Sequence, residues 1–207
     1  MVDRFICLEG IDGCGKSTQA IALGNFLENE GFKVLRIREP GGTEISEVIR
    51  QIILNPKYKD KMNDITELFL YNAARAQLIH EVVKPALRKG FVVLADRFAY
   101  STLAYQGYGR GLDIEMIKNL LRIACGVFFP NKTFIFDIPV SLSRERRLKD
   151  SANHGDDRIE QEQDDFFERV RDGYRIIAKE NPETCLLINA DRPQEDIFKF
   201  LVSHLNS

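Results

Sequence analysis

The sequence predicts an α/β fold in which a doubly wound, five-stranded parallel sheet is flanked by helices. Two observations carry this prediction. Five short apolar runs alternate with segments of helical periodicity along the 207 residues. The first run, Phe5-Ile6-Cys7-Leu8, leads directly into a glycine-rich loop, and apolar residues at helical spacing follow that loop.

The remaining elements continue this alternation without a repeat or a linker, so we expect one domain over residues 1–207. The other four predicted strands cover residues 33–38, 91–95, 133–137 and 185–189. Predicted helices cover residues 43–54, 64–89, 98–105, 113–124, 140–150, 164–179 and 193–206. We expect the glycines of residues 107–111 to separate two helices, and a polar loop over residues 151–157.

One predicted helix carries a pronounced apolar stripe. Ile45, Val48, Ile49 and Ile52 share one face of the helix over residues 43–54.

Composition excludes several classes of protein. Apolar residues make up 44% and charged residues 29% of the chain, which is typical of a soluble globular protein. The net charge of −2 gives no reason to expect a nucleic-acid partner, and no apolar run approaches the roughly 20 residues of a membrane span. The start, Met1-Val2-Asp3-Arg4, lacks the features of a signal peptide, so we expect a cytoplasmic protein.

The loop after the first strand fits the phosphate-binding pattern G-x-x-x-x-G-K-[ST]. Its residues are Gly10, Ile11, Asp12, Gly13, Cys14, Gly15, Lys16 and Ser17, followed by Thr18. Glycines let several backbone N–H groups point at one anion, and the following helix adds its positive end. Lys16 suits the β- and γ-phosphates of a nucleotide, and the Ser17 hydroxyl suits Mg²⁺. We also expect Cys14 to be an accessible, stabilised thiolate at this helix start.

Phosphoryl transfer depends on positioning and charge, so further acidic and arginine residues are expected near this loop. Asp96 ends an unbroken apolar strand and is the best second acidic group for a metal, and Arg97 follows it directly. Arg75 fits either a phosphate contact or an ion pair on a helix surface, and the sequence leaves both open.

A basic segment precedes and follows the predicted polar loop. Its residues are Arg144, Arg146, Arg147, Lys149 and Arg158. A solvated helix face is one interpretation of this segment. A hinged lid over residues of about 144–160, which brings arginines onto the transferring phosphate, is the other.

Longer motifs around these residues resemble the thymidylate kinase family of bacterial nucleoside-monophosphate kinases, over nearly the whole chain. The phosphate loop is shared by many enzymes, whereas two other blocks are more specific. The specific blocks are Arg38-Glu39-Pro40-Gly41-Gly42-Thr43 and Asp96-Arg97-Phe98 with Ser101-Thr102 and Tyr105-Gln106-Gly107. Asp157-Arg158-Ile159-Glu160 resembles the end of the family's lid.

The resemblance implies a P-loop kinase fold and an ATP-dependent phosphorylation of dTMP to dTDP, with Mg²⁺ bound at Ser17 and Asp96. It implies that ATP lies on residues 10–18, with its adenine near Arg192. It implies that dTMP lies among Asp12, Arg38, Pro40, Tyr71, Arg75, Arg97, Ser101, Thr102, Tyr105 and Gln106. It implies that Lys16, Asp96, Arg97 and the lid arginines 144, 146, 147 and 158 are catalytic, and that the protein is a homodimer.

Two positions depart from the family pattern. Tyr71 stands where phenylalanine commonly stacks on thymine, and its hydroxyl needs a hydrogen-bond partner. Gly13 stands where some members have an arginine inside the phosphate loop, so we expect the lid to supply that charge. A kinase for another nucleoside or nucleotide is the nearest alternative. A regulatory NTPase switch is a second alternative, although no water-orienting glutamine motif follows Asp96.

Overall fold

The computed structural model describes residues 4–154 and 157–205, with only the main chain described over residues 150–154. It contains one sheet of five parallel strands in the order β2-β3-β1-β4-β5, which confirms the predicted fold class. The strands are β1 (Phe5–Gly10), β2 (Val34–Arg38), β3 (Val92–Asp96), β4 (Lys132–Asp137) and β5 (Cys185–Asn189).

Helices cover both faces of the sheet. They are α1 (Lys16–Asn29), α2 (Glu44–Leu54), α3 (Asp64–Leu78), α4 (Lys84–Arg88), α5 (Ala99–Thr102), α6 (Ile114–Cys125), α7 (Val140–His154), α8 (Asp164–Glu180) and α9 (Gln194–Ser203). A 3₁₀ turn covers Pro56–Tyr58, and π-helical turns cover Ile79–Val83 and Leu103–Gly109.

The topology places the ligand crevice beside β1. From this central strand the chain passes to one side for β2 and β3 and to the other side for β4 and β5. Ligands of doubly wound sheets bind at the carboxyl edge, where the direction of winding reverses. The register brings Asp96 opposite both Leu8 and Arg38, so the ends of three strands meet at this edge.

Two predicted boundaries are wrong. Helix α7 continues to His154, into the stretch where we expected a polar loop to begin, and residues 155 and 156 lie outside the described residues. The predicted break at 107–111 begins only after Gly109, because the preceding helix continues as a π-helical turn. The glycines there permit close packing, since a Cβ on Gly109 would lie 2.7 Å from the Phe166 ring.

Three of the four residues in the apolar stripe of α2 are exposed. Ile45 and Val48 are 53% and 54% exposed, and Ile52 is 40% exposed. The Ser46 hydroxyl donates to the carbonyl of Ala74 on α3, so the opposite face of α2 is the one that packs inward. Among the described residues, none of the helices combines the length and apolarity that a membrane crossing requires.

Candidate active site

Two cavities adjoin at the phosphate loop, on the carboxyl edge of the sheet. Asp12, Lys16 and Ser17 line both of them. The cavity on the β2–β3 side, which we call the acceptor cavity, is also lined by Arg38, Glu39, Pro40, Arg50, Leu54, Tyr71, Arg75, Asp96, Arg97, Ser101, Thr102, Tyr105, Gln106, Asp157 and Ile159. The other, the donor cavity, is also lined by residues 13–15, Thr18, Gln19, Arg146, Arg147, Lys149, Glu160, Ala190, Arg192, Gln194 and Ile197.

The phosphate loop has the backbone that its glycines predict. Gly10, Gly13 and Gly15 all have positive φ, and Gly15 at φ 89° caps the start of α1. At Gly10 a Cβ would lie 2.6 Å from the carbonyl oxygen of Phe136, so only glycine fits there. Lys16 is 6% exposed, and its Nζ lies 3.5 Å from Asp12 Oδ1.

The two predicted metal ligands meet across the sheet edge. Ser17 Oγ donates a hydrogen bond of 2.5 Å to Asp96 Oδ2. Mg²⁺ is bound by hard oxygen atoms and usually by one or two protein groups, with phosphates and waters completing its shell. A hydroxyl and a carboxylate beside the phosphate loop fit that ion. The described residues contain no group of three or more His, Cys, Asp or Glu side chains that could hold a metal by itself.

An ion pair joins the phosphate loop to the end of β3. Arg97 Nη2 donates to Asp12 Oδ1 at 2.7 Å, and the Tyr105 hydroxyl donates to Asp12 Oδ2 at 3.2 Å. Burial alone would raise the pKa of Asp12. The charges of Arg97 and Lys16, with the hydrogen bonds from Arg97 and Tyr105, outweigh burial and hold that pKa well below its usual range.

The backbone of Arg97 is strained. Its φ of 71° lies in the left-handed region, and in the described part of the chain it is the only residue other than glycine with positive φ. The Arg97 N–H donates to the carbonyl of Leu8 at 2.9 Å, which holds the strained residue against β1. Its guanidinium also donates to Ser101 and to Tyr174.

Glu9 is a site-organising residue that the sequence analysis missed. It is fully buried and accepts hydrogen bonds from the backbone N–H groups of Phe98 and Ser101 and from the hydroxyls of Ser101 and Tyr174. It therefore fixes the chain after Arg97 and brings α8 to the site. The available signal was a carboxylate inside a strand that is otherwise apolar.

Arg75 makes an ion pair that is buried rather than on the surface. Its guanidinium lies 2.6 Å from Glu39 Oε2 and also donates to Thr102 Oγ1 and to the carbonyl of Phe98. Burial raises the pKa of Glu39 to about 7, against the opposing effect of Arg75. Glu39 Oε1 is buried without a hydrogen-bond partner, and both residues line the acceptor cavity.

Other predicted contacts with the acceptor also line this cavity. Tyr71 does so, and its hydroxyl makes no hydrogen bond within the described part of the chain, while burial raises its pKa. Arg38 pairs with Glu47 and donates to the carbonyl of Pro40. Arg50, which no sequence motif marks, donates to the same Pro40 carbonyl at 2.9 Å.

The arginines of the basic segment differ in their exposure and in their partners. Arg144 is 60% exposed and pairs with Asp164, so the interpretation as a solvated face suits it. Arg158 is 1% exposed, and it donates to Glu67 and to the carbonyl of Ile53. The structure therefore does not place Arg144 or Arg158 at the phosphate loop, because their partners lie elsewhere.

Arg146 and Arg147 do line the donor cavity. Arg147 donates to the carbonyl of Glu160 at 3.0 Å, and its guanidinium lies 4.0 Å from the centre of the Phe167 ring. Arg146 donates to the carbonyl of Gly13, in the phosphate loop itself, at 3.2 Å. Arg146 is therefore in direct contact with the phosphate loop.

Helix α7 occupies the space that a side chain at position 13 would need. A Cβ on Gly13 would lie 2.8 Å from the carbonyl oxygen of Ser143. The Ser143 hydroxyl donates to the carbonyl of Asp12 at 2.7 Å, which fastens α7 to the loop. The helix that excludes a side chain at Gly13 therefore also delivers Arg146.

The expectation for Cys14 is wrong. Cys14 is 1% exposed, and burial raises the pKa of its thiol in spite of the charge of Lys16. A helix start stabilises a thiolate only where the sulfur is not surrounded by apolar groups. Here Cys14 belongs to the hydrophobic core beneath the loop.

The chain matches one family of known proteins. The family model described as "Thymidylate kinase" matches residues 8–201. The thymidylate kinase of Kosmotoga olearia is 45% identical over 198 residues, covering 96% of this chain and 93% of the relative. That of Exiguobacterium sibiricum is 42% identical, covering 95% and 91%. The crystal structure of thymidylate kinase from Ehrlichia chaffeensis matches with a TM-score of 0.79 at 31% identity, covering 100% of both chains.

We predict that the folded protein resists thiol reagents. Cys7, Cys14, Cys125 and Cys185 are buried free cysteines, and burial raises the pKa of each, for Cys125 to about 12. A raised pKa lowers the thiolate fraction at neutral pH, so alkylation by iodoacetamide should be slow and should accelerate as the pH rises. Mass spectrometry should find unmodified native protein and four labels after denaturation; rapid native labelling of Cys14 at neutral pH would contradict this.

Proposed function

The chain belongs to the thymidylate kinase family, and we propose that it transfers the γ-phosphoryl group of ATP to the phosphate of dTMP, giving dTDP and ADP. The observation that carries the proposal is the meeting of two cavities at Asp12, Lys16 and Ser17. A donor and an acceptor bound on the two sides of one phosphate loop are held for direct transfer. A regulatory NTPase switch has no need of the second, polar cavity.

In this proposal the ATP phosphates lie on the loop N–H groups and on Lys16. The adenine lies near Arg192, beside the end of β5 and the start of α9. Mg²⁺, when bound, neutralises charge on the phosphates, and Ser17 and Asp96 are the residues that would hold it.

The dTMP phosphate is placed against Arg97, with Arg38 as a second contact. The acceptor oxygen is already anionic, so transfer needs no strong base and depends on orientation and charge. Asp12 and Tyr105 hold the Arg97 guanidinium in one orientation before substrate enters. Such preorganisation avoids rearrangement during transfer.

The nucleoside is placed deeper in the acceptor cavity. Tyr71 is positioned to stack on the base, and Arg75, Ser101, Thr102 and Gln106 surround its edge. The ring of Tyr105 is 6% exposed, and its hydroxyl is tied to Asp12. An immobile ring there would crowd a ribose 2′-hydroxyl and favour deoxyribose.

In this proposal the lid arginines stabilise the negative charge on the transferring phosphoryl group. Of its four arginines, Arg146 is the best supported, because it lines the donor cavity and already contacts the loop at Gly13. Arg147 is the second, and it is anchored on α8. This assignment refines the expectation that all four are catalytic.

A homodimer is also part of the proposal. The apolar stripe of α2 (Ile45, Val48 and Ile52) is exposed, and Phe69 on the neighbouring α3 is 53% exposed. Neighbouring exposed apolar side chains mark a contact surface, and a second copy of the same stripe is its simplest complement. A cytoplasmic location is proposed because all four cysteines are free thiols.

A panel of acceptors tests the activity. ADP formation from ATP should depend on dTMP. The rate with dTMP as acceptor should exceed the rates with dUMP, dCMP, UMP and AMP. Lys16→Met should abolish the reaction, because the phosphates lose their buried cation. Preference for another monophosphate would favour the alternative kinase, and hydrolysis without dependence on an acceptor would favour the switch.

Paired arginine variants test the lid. Arg146→Ala should lower kcat by at least about tenfold with near-normal dTMP binding by calorimetry, because its charge acts only during transfer. Arg144→Ala, in the same helix but paired with Asp164, should stay within about twofold of the unmodified enzyme. If both variants are silent, the stabilisation comes from Lys16, Arg97 and Mg²⁺ alone.

The assembly is tested by sedimentation. The protein should sediment as a dimer at micromolar concentration, and Val48→Asp should convert it to a monomer, because a carboxylate in an apolar interface loses its hydration. Ile123→Asp is the matched control, since Ile123 is 81% exposed on α6 and should leave the dimer intact. A persistent Val48→Asp dimer would place the interface elsewhere.

A further inference from the structure

Glu67 lies at the centre of a buried polar cluster beside the acceptor cavity. Its carboxylate on α3 is fully buried and has partners at both oxygen atoms. Gln106 Nε2 donates to Oε1 at 2.7 Å, and Arg110 Nε lies 3.3 Å from the same oxygen. Arg158 Nη2 donates to Oε2 at 2.5 Å, and Arg110 Nη2 lies 3.2 Å from it.

The cluster keeps Glu67 ionised. Burial alone would raise the pKa of its carboxyl group, but the charges of Arg110 and Arg158 and the hydrogen bond from Gln106 outweigh burial and lower it. An ionised carboxylate only accepts hydrogen bonds. Whatever faces Glu67 must therefore present an N–H or O–H group.

This requirement fixes the orientation of the Gln106 amide. Its NH₂ group must face Glu67, so its carbonyl oxygen occupies the other end of the amide. Gln106 lines the acceptor cavity, and within the described part of the chain its oxygen has no hydrogen-bond partner. A rigid acceptor is thus offered to whatever binds beside it.

We propose that Glu67 is a positioning residue for base selection, which acts by holding the Gln106 amide with its oxygen toward the nucleobase. The inference rests on the proposed function, in which dTMP occupies this cavity. Thymine and uracil carry a proton on ring nitrogen 3, whereas the same nitrogen of cytosine is an acceptor. A fixed Gln106 oxygen accepts a hydrogen bond from the N3–H group of thymine or uracil. With cytosine, the lone pair of that oxygen faces the lone pair of ring nitrogen 3, and no hydrogen bond forms.

A site built around a substrate N–H group rejects an analogue that lacks it, because the buried polar groups are left unpaired. Arg75 adds to this discrimination, since a guanidinium has only donors and suits a carbonyl oxygen rather than the amino group of cytosine. Glu67 contacts no substrate in this arrangement. It acts through Gln106.

The substitution Glu67→Gln should allow the amide to turn. Its single oxygen should stay beside the terminal nitrogens of Arg110 and Arg158, where Oε2 lies now. Its NH₂ group then faces Gln106, which must offer its own oxygen in return and turn its NH₂ group toward the cavity. The acceptor for thymine becomes a donor that suits cytosine.

The experiment measures kcat/KM for dTMP and for dCMP, and the ratio of the two is the readout. Glu67→Gln should lower this ratio by at least about tenfold, the size of effect expected when one buried hydrogen bond is replaced by an unpaired group. Arg110→Met is the matched control, because it removes a charged partner of Glu67 without touching Gln106. It should leave the ratio unchanged, whatever its effect on the melting temperature.

Two further variants keep the inference testable if Glu67→Gln does not fold. If Glu67→Gln does not fold, the charge-balanced double variant Glu67→Gln/Arg110→Met is compared with Arg110→Met alone. Gln106→Leu removes the acceptor itself, while both arginine partners of Glu67 remain, and should lower the same ratio by a similar factor. An unchanged ratio in Gln106→Leu, or in a folded Glu67→Gln enzyme, overturns the inference. If the unmodified enzyme phosphorylates none of the monophosphates, the proposed function is overturned instead.

Discussion

The ion pair between Asp12 and Arg97 is the contact on which the site depends. It joins the phosphate loop to the end of β3, and it lies where the two cavities meet. Arg97 keeps a strained backbone to make it, and strain of this kind persists only where surrounding contacts over-determine the conformation. Because one guanidinium is held by a carboxylate and by Tyr105, the acceptor side is charged and oriented before a ligand enters.

Three buried carboxylates hold other residues around the acceptor cavity. Glu9 holds the chain after Arg97, Glu39 holds Arg75, and Glu67 holds Gln106 with two arginines. Each would be costly to bury alone, and each accepts hydrogen bonds from neighbouring donors, although one oxygen of Glu39 has no partner among the described residues. The cavity surface is therefore rigid because the layer behind it is ionic. Substitutions in that layer should alter recognition without touching a substrate.

Sequence patterns predicted all five strands and their parallel arrangement, because apolar runs and helical periodicity report burial directly. They did not predict features that depend on packing, such as where a helix ends or which of its faces is buried. Glycine usually ends a helix, but Gly109 belongs to a π-helical turn, and the Phe166 ring beside it leaves no room for a side chain. The apolar stripe of α2 shows a helix in the sequence, but only the structure shows that Ile45, Val48 and Ile52 lie on the surface of the single chain.

The phosphate loop, the family motifs and most residues of both cavities were predictable from the chain alone, because these are local patterns whose chemistry depends on spacing. The roles of the scattered charged residues, in contrast, depend on how the folded chain packs. Arg144, Arg146 and Arg158 look alike in the sequence, yet one is solvated, one contacts the loop and one is buried on Glu67. The role of a charged side chain depends on its partner and on its burial. Both are supplied by segments far away in the chain.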